Sequence, residues 1–251
     1  MANSLEGTVA LVTGASSGIG EATALALAEQ GAGVGLVARR GDRLRSLADR
    51  IGERAVVVEA DVSSQAQAQS AVERTVGELG RLDILVNNAG VMLLGPIQDA
   101  PLEEWQQMIE VNVNGLLYCA HAALPHLLKA AEDSPRRVAD LVNISSVAGR
   151  VARLGSGVYN LTKHGIGAFS ESLRQEVTQR HVRVALVEPG AVDTELSSHN
   201  RPEIQQVIAN TFGEVERLQA HDVADAIAYI VTRPRHVAIN ELLIRPTEQQ
   251  R

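Results

Sequence analysis

Tyr159 and Lys163 stand four residues apart, a spacing that puts both side chains on one face of a helix. A tyrosine hydroxyl has an ordinary pKa near ~10 and is a poor base at neutral pH. A nearby ammonium stabilises the phenolate and lowers that value, as does a cation bound beside the ring. Tuned in this way, Tyr159 can give a proton to an alkoxide or take one from an alcohol. Ser146 closes the run Asn143-Ile144-Ser145-Ser146 behind an apolar stretch, where its hydroxyl can polarise a carbonyl oxygen. The three residues suit the interconversion of a carbonyl and an alcohol. A Tyr and a Lys at this spacing also occur on ordinary solvated helices, so their surroundings decide.

A second group near the N-terminus supplies a partner for that chemistry. Thr13-Gly14-Ala15-Ser16-Ser17-Gly18-Ile19-Gly20 follows the apolar run Val9–Val12 and opens a helical pattern. Glycines there permit a tight turn and close approach of a pyrophosphate, and the helix start offers unpaired N–H groups and the positive end of the dipole. The spacing is Gly-x-x-x-Gly-x-Gly. Without a ligand it would be a glycine-rich turn and nothing more. Enzymes that use NAD place an acid about 20 residues past such glycines, at the end of the second strand, to bind the ribose 2′-hydroxyl. This chain has Ala38-Arg39-Arg40 instead, and two guanidinium groups suit the 2′-phosphate of NADP. The alternative for Arg39 and Arg40 is a solvated basic corner neutralised by Asp42. Asp61 and Val62, past a third apolar run, are placed for an adenine contact, although Asp61 also reads as a helix cap in competition with Ser63 and Ser64.

These motifs need a scaffold that brings strand ends together. Seven short apolar runs recur along the chain: Val9–Val12, Gly33–Val37, Ala55–Val58, Leu82–Val86, Asp140–Ile144, Val182–Val187 and Glu241–Ile244. Ala- and Leu-rich helical stretches such as Ala22–Gln30 and Ile166–Arg180 lie between them. The alternation predicts an α/β fold over 1–251: one doubly wound Rossmann-type domain with a seven-stranded parallel sheet and helices on both faces. Every polar motif above follows one of these strands, at the carboxyl end where such sheets bind ligands. Only 2% of the residues are aromatic, so the core must be aliphatic. A net charge of -7 argues against a nucleic-acid partner. No apolar run approaches the ~20 residues that span a bilayer, and Met1–Thr8 lacks a signal-peptide pattern. The one cysteine, Cys119, forms no intrachain disulfide and suits a reducing cytoplasm; its apolar neighbours predict a packing role. The seven histidines show no metal-ligand spacing, and no metal is expected. His164, beside Lys163, is expected to pack or face solvent.

Thr13 to Gly20, Asn87-Asn88-Ala89-Gly90, Ser146, Tyr159-Asn160-Leu161-Thr162-Lys163 and Pro189-Gly190 appear in the order of the short-chain dehydrogenase/reductase family, which the chain resembles along essentially its whole length. The resemblance implies Asn112 as a fourth catalytic residue, holding a water that links Lys163 to solvent. It also implies that Asn88, Ala89 and Gly90 line the cofactor, with Asn88 supporting the central strands. Pro189, Gly190, Val192 and Thr194 would border the nicotinamide, and Lys163 would bond its ribose. Spacing to the tyrosine favours Ser146 over Ser145, which is expected, like Asn143, to satisfy local backbone. In Met92–Pro96, His121–Leu128 and Ile244–Thr247 the chain is similar to bacterial NADP-dependent reductases near the clavulanate-aldehyde reductase.

The expected activity is therefore NADPH-dependent reduction of an aldehyde or ketone, reversible. The alternatives are an NAD-dependent alcohol dehydrogenase, which Arg39 and Arg40 oppose, and a non-catalytic NADP sensor, which the presence of Tyr159 and Lys163 opposes. Residues 195–212 are expected to form a lid over the substrate, with Met92, Leu93 and Leu94 as an apolar wall or core. Arg150 and Arg153 could receive a substrate carboxylate or remain solvated loop charges. Leu116, Leu117, Leu124, Ile166, Phe169 and Leu173 give two helices further apolar faces, and relatives pair such helices. A homotetramer or homodimer is expected.

Overall fold

A computed structural model describes residues 4–213 and 215–250. The strands are β1 (Val9–Thr13), β2 (Gly33–Ala38), β3 (Ala55–Glu59), β4 (Ile84–Asn87), β5 (Ala139–Ile144), β6 (Val182–Pro189) and β7 (Glu241–Ile244). All seven expected runs are strands, with bounds shifted by a residue or two. They form one sheet in the order β3-β2-β1-β4-β5-β6-β7, parallel at every pairing. The helices are α1 (Gly18–Glu29), α2 (Gly41–Ile51), α3 (Gln65–Leu79), α4 (Leu102–Met108), α5 (Leu116–Asp133), α6 (Gly157–Val177), α7 (Pro202–Phe212) and α8 (Ala220–Val231). A π-helical stretch, Ile109–Gly115, joins α4 to α5 and carries Asn112.

Alternation along each strand builds two cores. Val9, Leu11, Leu85 and Leu141 point to the face covered by α3, α5 and the end of α6, meeting Val72, Leu127 and Leu173. Ala10, Val12, Val86 and Val142 point to the other face, against Leu27 of α1, Leu44 of α2 and Ile227 of α8. Both layers are aliphatic, as the aromatic content requires; each fully buried Val or Leu contributes about 1.5–3 kcal/mol. Cys119 sits within the first core, where burial pushes its thiol up to about 12 and leaves it a packing residue.

The amino ends of the central strands are fastened by ion pairs. Arg183 grips Asp140 at 2.7 Å, and Arg136 grips it at 2.8 Å. Arg81 grips Asp83, whose other bond is to the N–H of Val9. These buried carboxylates keep two or more donors each, which offsets their desolvation. Strand order reverses between β1 and β4, so the loops leaving these two strands diverge and open a crevice at the opposite, carboxyl end of the sheet.

Candidate active site

The crevice is a single continuous cavity of about 620 Å³ reaching from Arg39, Arg40 and Asp61 at one end to Ser146, Tyr159 and Lys163 at the other. Its volume falls in the ~300–1,000 Å³ range of small-molecule and cofactor sites.

The floor is built from the exits of β1 and β4. The Thr13 hydroxyl accepts from the N–H groups of Asn88 and Ala89, each at 3.0 Å, and the Asn88 amide donates to the Thr13 carbonyl at 3.0 Å. Asn88 thus ties the central strands together, as the family resemblance implies. The glycines belong to the same packing. A Cβ on Gly20 would lie 2.3 Å from the Gly14 carbonyl oxygen and 2.5 Å from Asn88 Nδ2. Gly14 takes φ 67° and Gly18 φ 56°, the left-handed region that favours glycine. Thr194, past β6, closes over this loop: a Cβ on Gly18 would meet its Cγ2 at 3.1 Å. Beside it, Gly190 leaves no room for a side chain, since an added Cβ would fall 2.3 Å from Gln249 Oε1.

Arg40 reaches across the turn and donates to the Ser16 hydroxyl at 3.0 Å and the Ser17 hydroxyl at 2.7 Å. Its remaining nitrogen, Nη1, pairs with Glu195 at 2.8 Å, and Arg43 holds the other Glu195 oxygen at 2.7 Å. These two guanidinium groups hold the Glu195 carboxyl down to about 2. In the alternative reading of this corner the neutralising acid is Asp42. The acid that binds Arg40 instead comes from beyond β6, because the loops after β2 and β6 meet over the cavity mouth. Arg39 is exposed at the cavity edge. Asp61 lines the cavity while accepting from the Ser63 N–H and hydroxyl at 3.0 and 2.8 Å, so it serves a local turn rather than capping α3. Val62 packs against Gly115, where an added Cβ would come within 2.9 Å of its Cγ2.

At the other end, Tyr159 and Lys163 occupy the first turns of α6, both buried, on one face as their spacing requires. Lys163 Nζ donates to the Ile144 carbonyl at 2.9 Å, at the end of β5, and lies 5.8 Å from the centre of the Tyr159 ring. Ser146, one residue beyond Ser145, accepts from the Ala148 N–H at 3.1 Å and faces Tyr159. Burial pushes the Tyr159 phenol up to about 12, opposed by its hydrogen bond with Ser146, and pulls Lys163 down to about 8. The expected lowering by the ammonium is not what sets the phenol in the protein alone: there desolvation outweighs the hydrogen bond with Ser146.

Asn112 is buried in the π-helical stretch. Its Oδ1 accepts from the Val91 N–H at 2.8 Å, and its Nδ2 donates to the Val91 carbonyl at 2.9 Å and to Thr162 at 3.3 Å. Its side chain therefore braces the Gly90–Val91 turn against α6. A Cβ on Gly90 would sit 3.3 Å from Asn112 Oδ1 and 3.9 Å from Lys163 Nζ, which brings the three together. Ser145 donates to the Lys163 carbonyl at 3.0 Å, satisfying backbone as expected. Asn143 instead bonds side chains, accepting from Asn87 at 3.0 Å and donating to Ser170 at 2.9 Å, because it points into the sheet interior. His164 is exposed, bonded to the carbonyl of its own helix at Asn160.

The remaining walls come from three loops. Met92, Leu93 and Leu94 join Tyr159, Met108 and Trp105 in a small apolar cluster, and Met92 and Leu94 also face the cavity. Residues 195–212 fold as a short 3-10 turn, Glu195–His199, followed by α7, and Ser197, His199, Val207 and Thr211 reach the cavity. Asn200 staples this segment to the loop after β4, accepting from the Leu94 N–H at 2.7 Å and donating to the Met92 carbonyl at 2.9 Å. Arg150 is no solvated charge: it pairs with buried Glu188 and with Glu241, joining β6 to β7. Arg153 lines the cavity. Of the faces expected to pair subunits, Leu116, Ile166 and Leu173 are already buried within the chain.

Glu195, Gln249 and the staple at Asn200 were not singled out from sequence for these contacts, since each depends on a partner far along the chain. Arg43, three residues past Arg40 on α2, was within reach of helical spacing.

Among the described residues no helix is long and apolar enough to cross a membrane. A family model for short chain dehydrogenases matches residues 8–205. An uncharacterized oxidoreductase of Staphylococcus epidermidis is 39% identical over 238 residues, covering 95% of this chain and 96% of its own. The closed form of serine dehydrogenase complexed with NADP+ superposes with TM-score 0.87 at 34% identity, covering 97% of both chains. A 3-ketoacyl-(acyl-carrier-protein) reductase from Brucella melitensis complexed with NADH superposes at 0.84 with 30% identity, over 96% of this chain and 98% of that one. Likeness of sequence and of backbone runs from end to end, through both ends of the cavity: this protein belongs to the short-chain dehydrogenase/reductase family and is an oxidoreductase whose fold takes a nicotinamide cofactor.

Proposed function

We propose that the protein reduces an aldehyde or ketone to the alcohol, reversibly, with NADPH as its cofactor and Tyr159 as general acid and base. The observation that carries this is the convergence of buried Tyr159 and Lys163 with part-buried Ser146 in the cavity whose far end holds Arg40 anchored on Ser16 and Ser17. Gly14, Ser16, Ser17, Gly18, Ile19 and Gly20 would cradle the pyrophosphate at the start of α1. Arg39 and Arg40 would take the 2′-phosphate, and Asp61 and Val62 would flank the adenine. Asn88, Ala89 and Gly90 would line the middle of the cofactor. Pro189, Gly190, Val192 and Thr194 would border the nicotinamide. When bound, the cofactor supplies the hydride, and in its oxidised form a cation that lowers the phenol beside it.

Ser146 polarises the substrate oxygen, Tyr159 gives it a proton as the alkoxide forms, and Lys163 backs the phenolate left behind. Asn112 holds the Gly90–Val91 turn beside Lys163, on the route assigned to proton exchange with solvent. Segment 195–212 acts as the lid. A cytoplasmic location suits the single buried thiol, and association into a homodimer or homotetramer would use the partly exposed Leu117, Leu124 and Phe169.

Glu195 favours a second reading. It brings to the Arg40 corner the acid that β2 lacks, and an NAD ribose could use it. Titrating NADPH and NADH by fluorescence against the protein and its Arg40→Ala variant separates the two. NADPH preference that collapses in the variant is expected, with turnover of an aldehyde and ketone panel lost in Tyr159→Phe. Equal binding of both cofactors would refute the NADPH assignment.

A further inference from the structure

Building on the carbonyl-reductase reading, we propose that the substrate carries a carboxylate and that Arg153 receives it. Arg153 lies on the loop between Ser146 and Tyr159 and lines the same cavity as both. Its backbone is held in place: the N–H donates to Asn160 Oδ1 at 3.2 Å, and the carbonyl accepts from the Ser156 N–H at 3.2 Å. Asn160, the neighbour of Tyr159, also donates to the carbonyls of Ala148 and Val151. One side chain therefore fixes Arg153 relative to the residues that follow Ser146 and to the helix that carries the phenol.

The guanidinium is left unfinished. Its Nη2 is buried and has no hydrogen-bond partner. A buried donor without an acceptor is costly, and an arginine cannot escape by losing its proton. Arg150, three residues earlier, is by contrast fully engaged by Glu188 and Glu241. The cavity is lined by two carboxylates, Asp61 and Glu195. Asp61 is turned to Ser63, and Glu195 is taken by Arg40 and Arg43 at the cofactor end. Neither carboxylate is free for Arg153, which lines the same cavity as Ser146, Tyr159 and Lys163 with no acid among the described residues engaged to it. Nη2 is closed off as the side chain stands, so a turn of the guanidinium toward the cavity would open it to a ligand carboxylate, which would engage it through charge-assisted hydrogen bonds and orient the carbonyl toward Tyr159 and Ser146. Met92, Leu94 and Val207 give the same cavity apolar surface that suits a hydrocarbon body.

Two measurements test this. The first is NADPH-dependent reduction of 4-oxobutanoate against its methyl ester by the protein and by Arg153→Gln and Arg153→Lys. The acid is expected to exceed the ester in kcat/KM by about 10- to 100-fold, the effect of a charge-assisted bond to a buried group. That ratio should fall to near one in Arg153→Gln through a rise in KM for the acid, and recover in part in Arg153→Lys. The Arg153 Nη2 makes no bond within the protein, so folding of the variants is expected, and a thermal melt checks it. Acid and ester reduced alike, or an acid preference that survives Arg153→Gln, overturns the proposal while the reductase reading stands. The second is binding of butanoate and butanamide to the protein with NADP+ by ligand-observed NMR, which needs no turnover. Butanoate binding that depends on Arg153 supports the carboxylate site even if no carbonyl is reduced, in which case the reductase reading is what fails. Butanoate bound no better than butanamide overturns the site.

Discussion

Replacing Glu195 with Gln is expected to tighten NADPH binding and leave NADH binding nearly unchanged. In the protein, Glu195 occupies Nη1 of Arg40 at 2.8 Å and Nη1 of Arg43 at 2.7 Å, the groups that a 2′-phosphate would use. The carboxyl is held down to about 2 by those arginines, so it stays ionised throughout the neutral range and protonation cannot release it. Its linkage to stability runs the same way: the contribution is present above its unfolded pKa and is lost only as pH falls toward 2. NADPH must therefore displace a carboxylate. The Arg40 pair is part-exposed on both sides, and such pairs contribute ~0.2–1 kcal/mol. A carboxylate left within ~4 Å of the phosphate would add ~1 kcal/mol of repulsion even in bulk water. Together these place the gain in NADPH affinity for Glu195→Gln at about seven- to thirtyfold, with ~1.4 kcal/mol for each tenfold. Fluorescence titration of both cofactors at two salt concentrations measures it, and the gain should shrink at high salt as screening weakens the exposed pair. NADPH binding that weakens in the variant would refute the reasoning, and loss of NADH affinity would instead make Glu195 the acid that binds a ribose 2′-hydroxyl. Equal tightening of both cofactors would show that the carboxylate acts on something other than the phosphate.

Lys163, set near 8 by burial, is expected to give the reduction a falling limb in kcat/KM above pH about 8. There its positive charge is lost and the phenolate formed at Tyr159 goes unsupported, so Tyr159 becomes a weaker acid; a flat profile from neutral to strongly alkaline pH would refute this. Asn200→Ala removes the staple between the lid and the Met92–Leu94 loop, leaving the part-buried Leu94 N–H and Met92 carbonyl without their partner. The expected cost is about 1–3 kcal/mol, read as a fall in Tm of ~2–4 °C per kcal/mol for a chain of this size, together with a KM that rises more than kcat falls. An unchanged Tm and KM would mean that the lid is held elsewhere.

The fold could be read from the sequence because its signals are local. Each strand is a short aliphatic run, each motif follows one, and the period changes from two to 3.6 in between, so the seven strands and the carboxyl-end crevice follow from neighbours in the chain. Tyr159 with Lys163, and Gly14 with Gly18 and Gly20, are likewise defined by spacings within one element. What escaped was set by contacts between distant loops. Arg40 looked free or neutralised by Asp42, because nothing near it in sequence points to Glu195. The sequence also carried no sign that the Asn112 amide braces the backbone of Val91 from the π-helical stretch. The same distinction explains the tyrosine. Sequence places the ammonium one turn away, which argues for a lowered pKa, but the magnitude depends on how much protein closes over both groups. Here Val91, Met108 and Trp105 pack around Tyr159, and desolvation raises it instead. A phenol held high in the protein alone keeps its proton across the neutral range, so it stands in the protonated form that reduction uses, though as a weak acid until the phenolate is supported. To act as a base in the reverse direction it would need the positive charge of an oxidised nicotinamide, so the two directions should differ in pH dependence: oxidation gains with rising pH until Lys163 is lost, whereas reduction only declines.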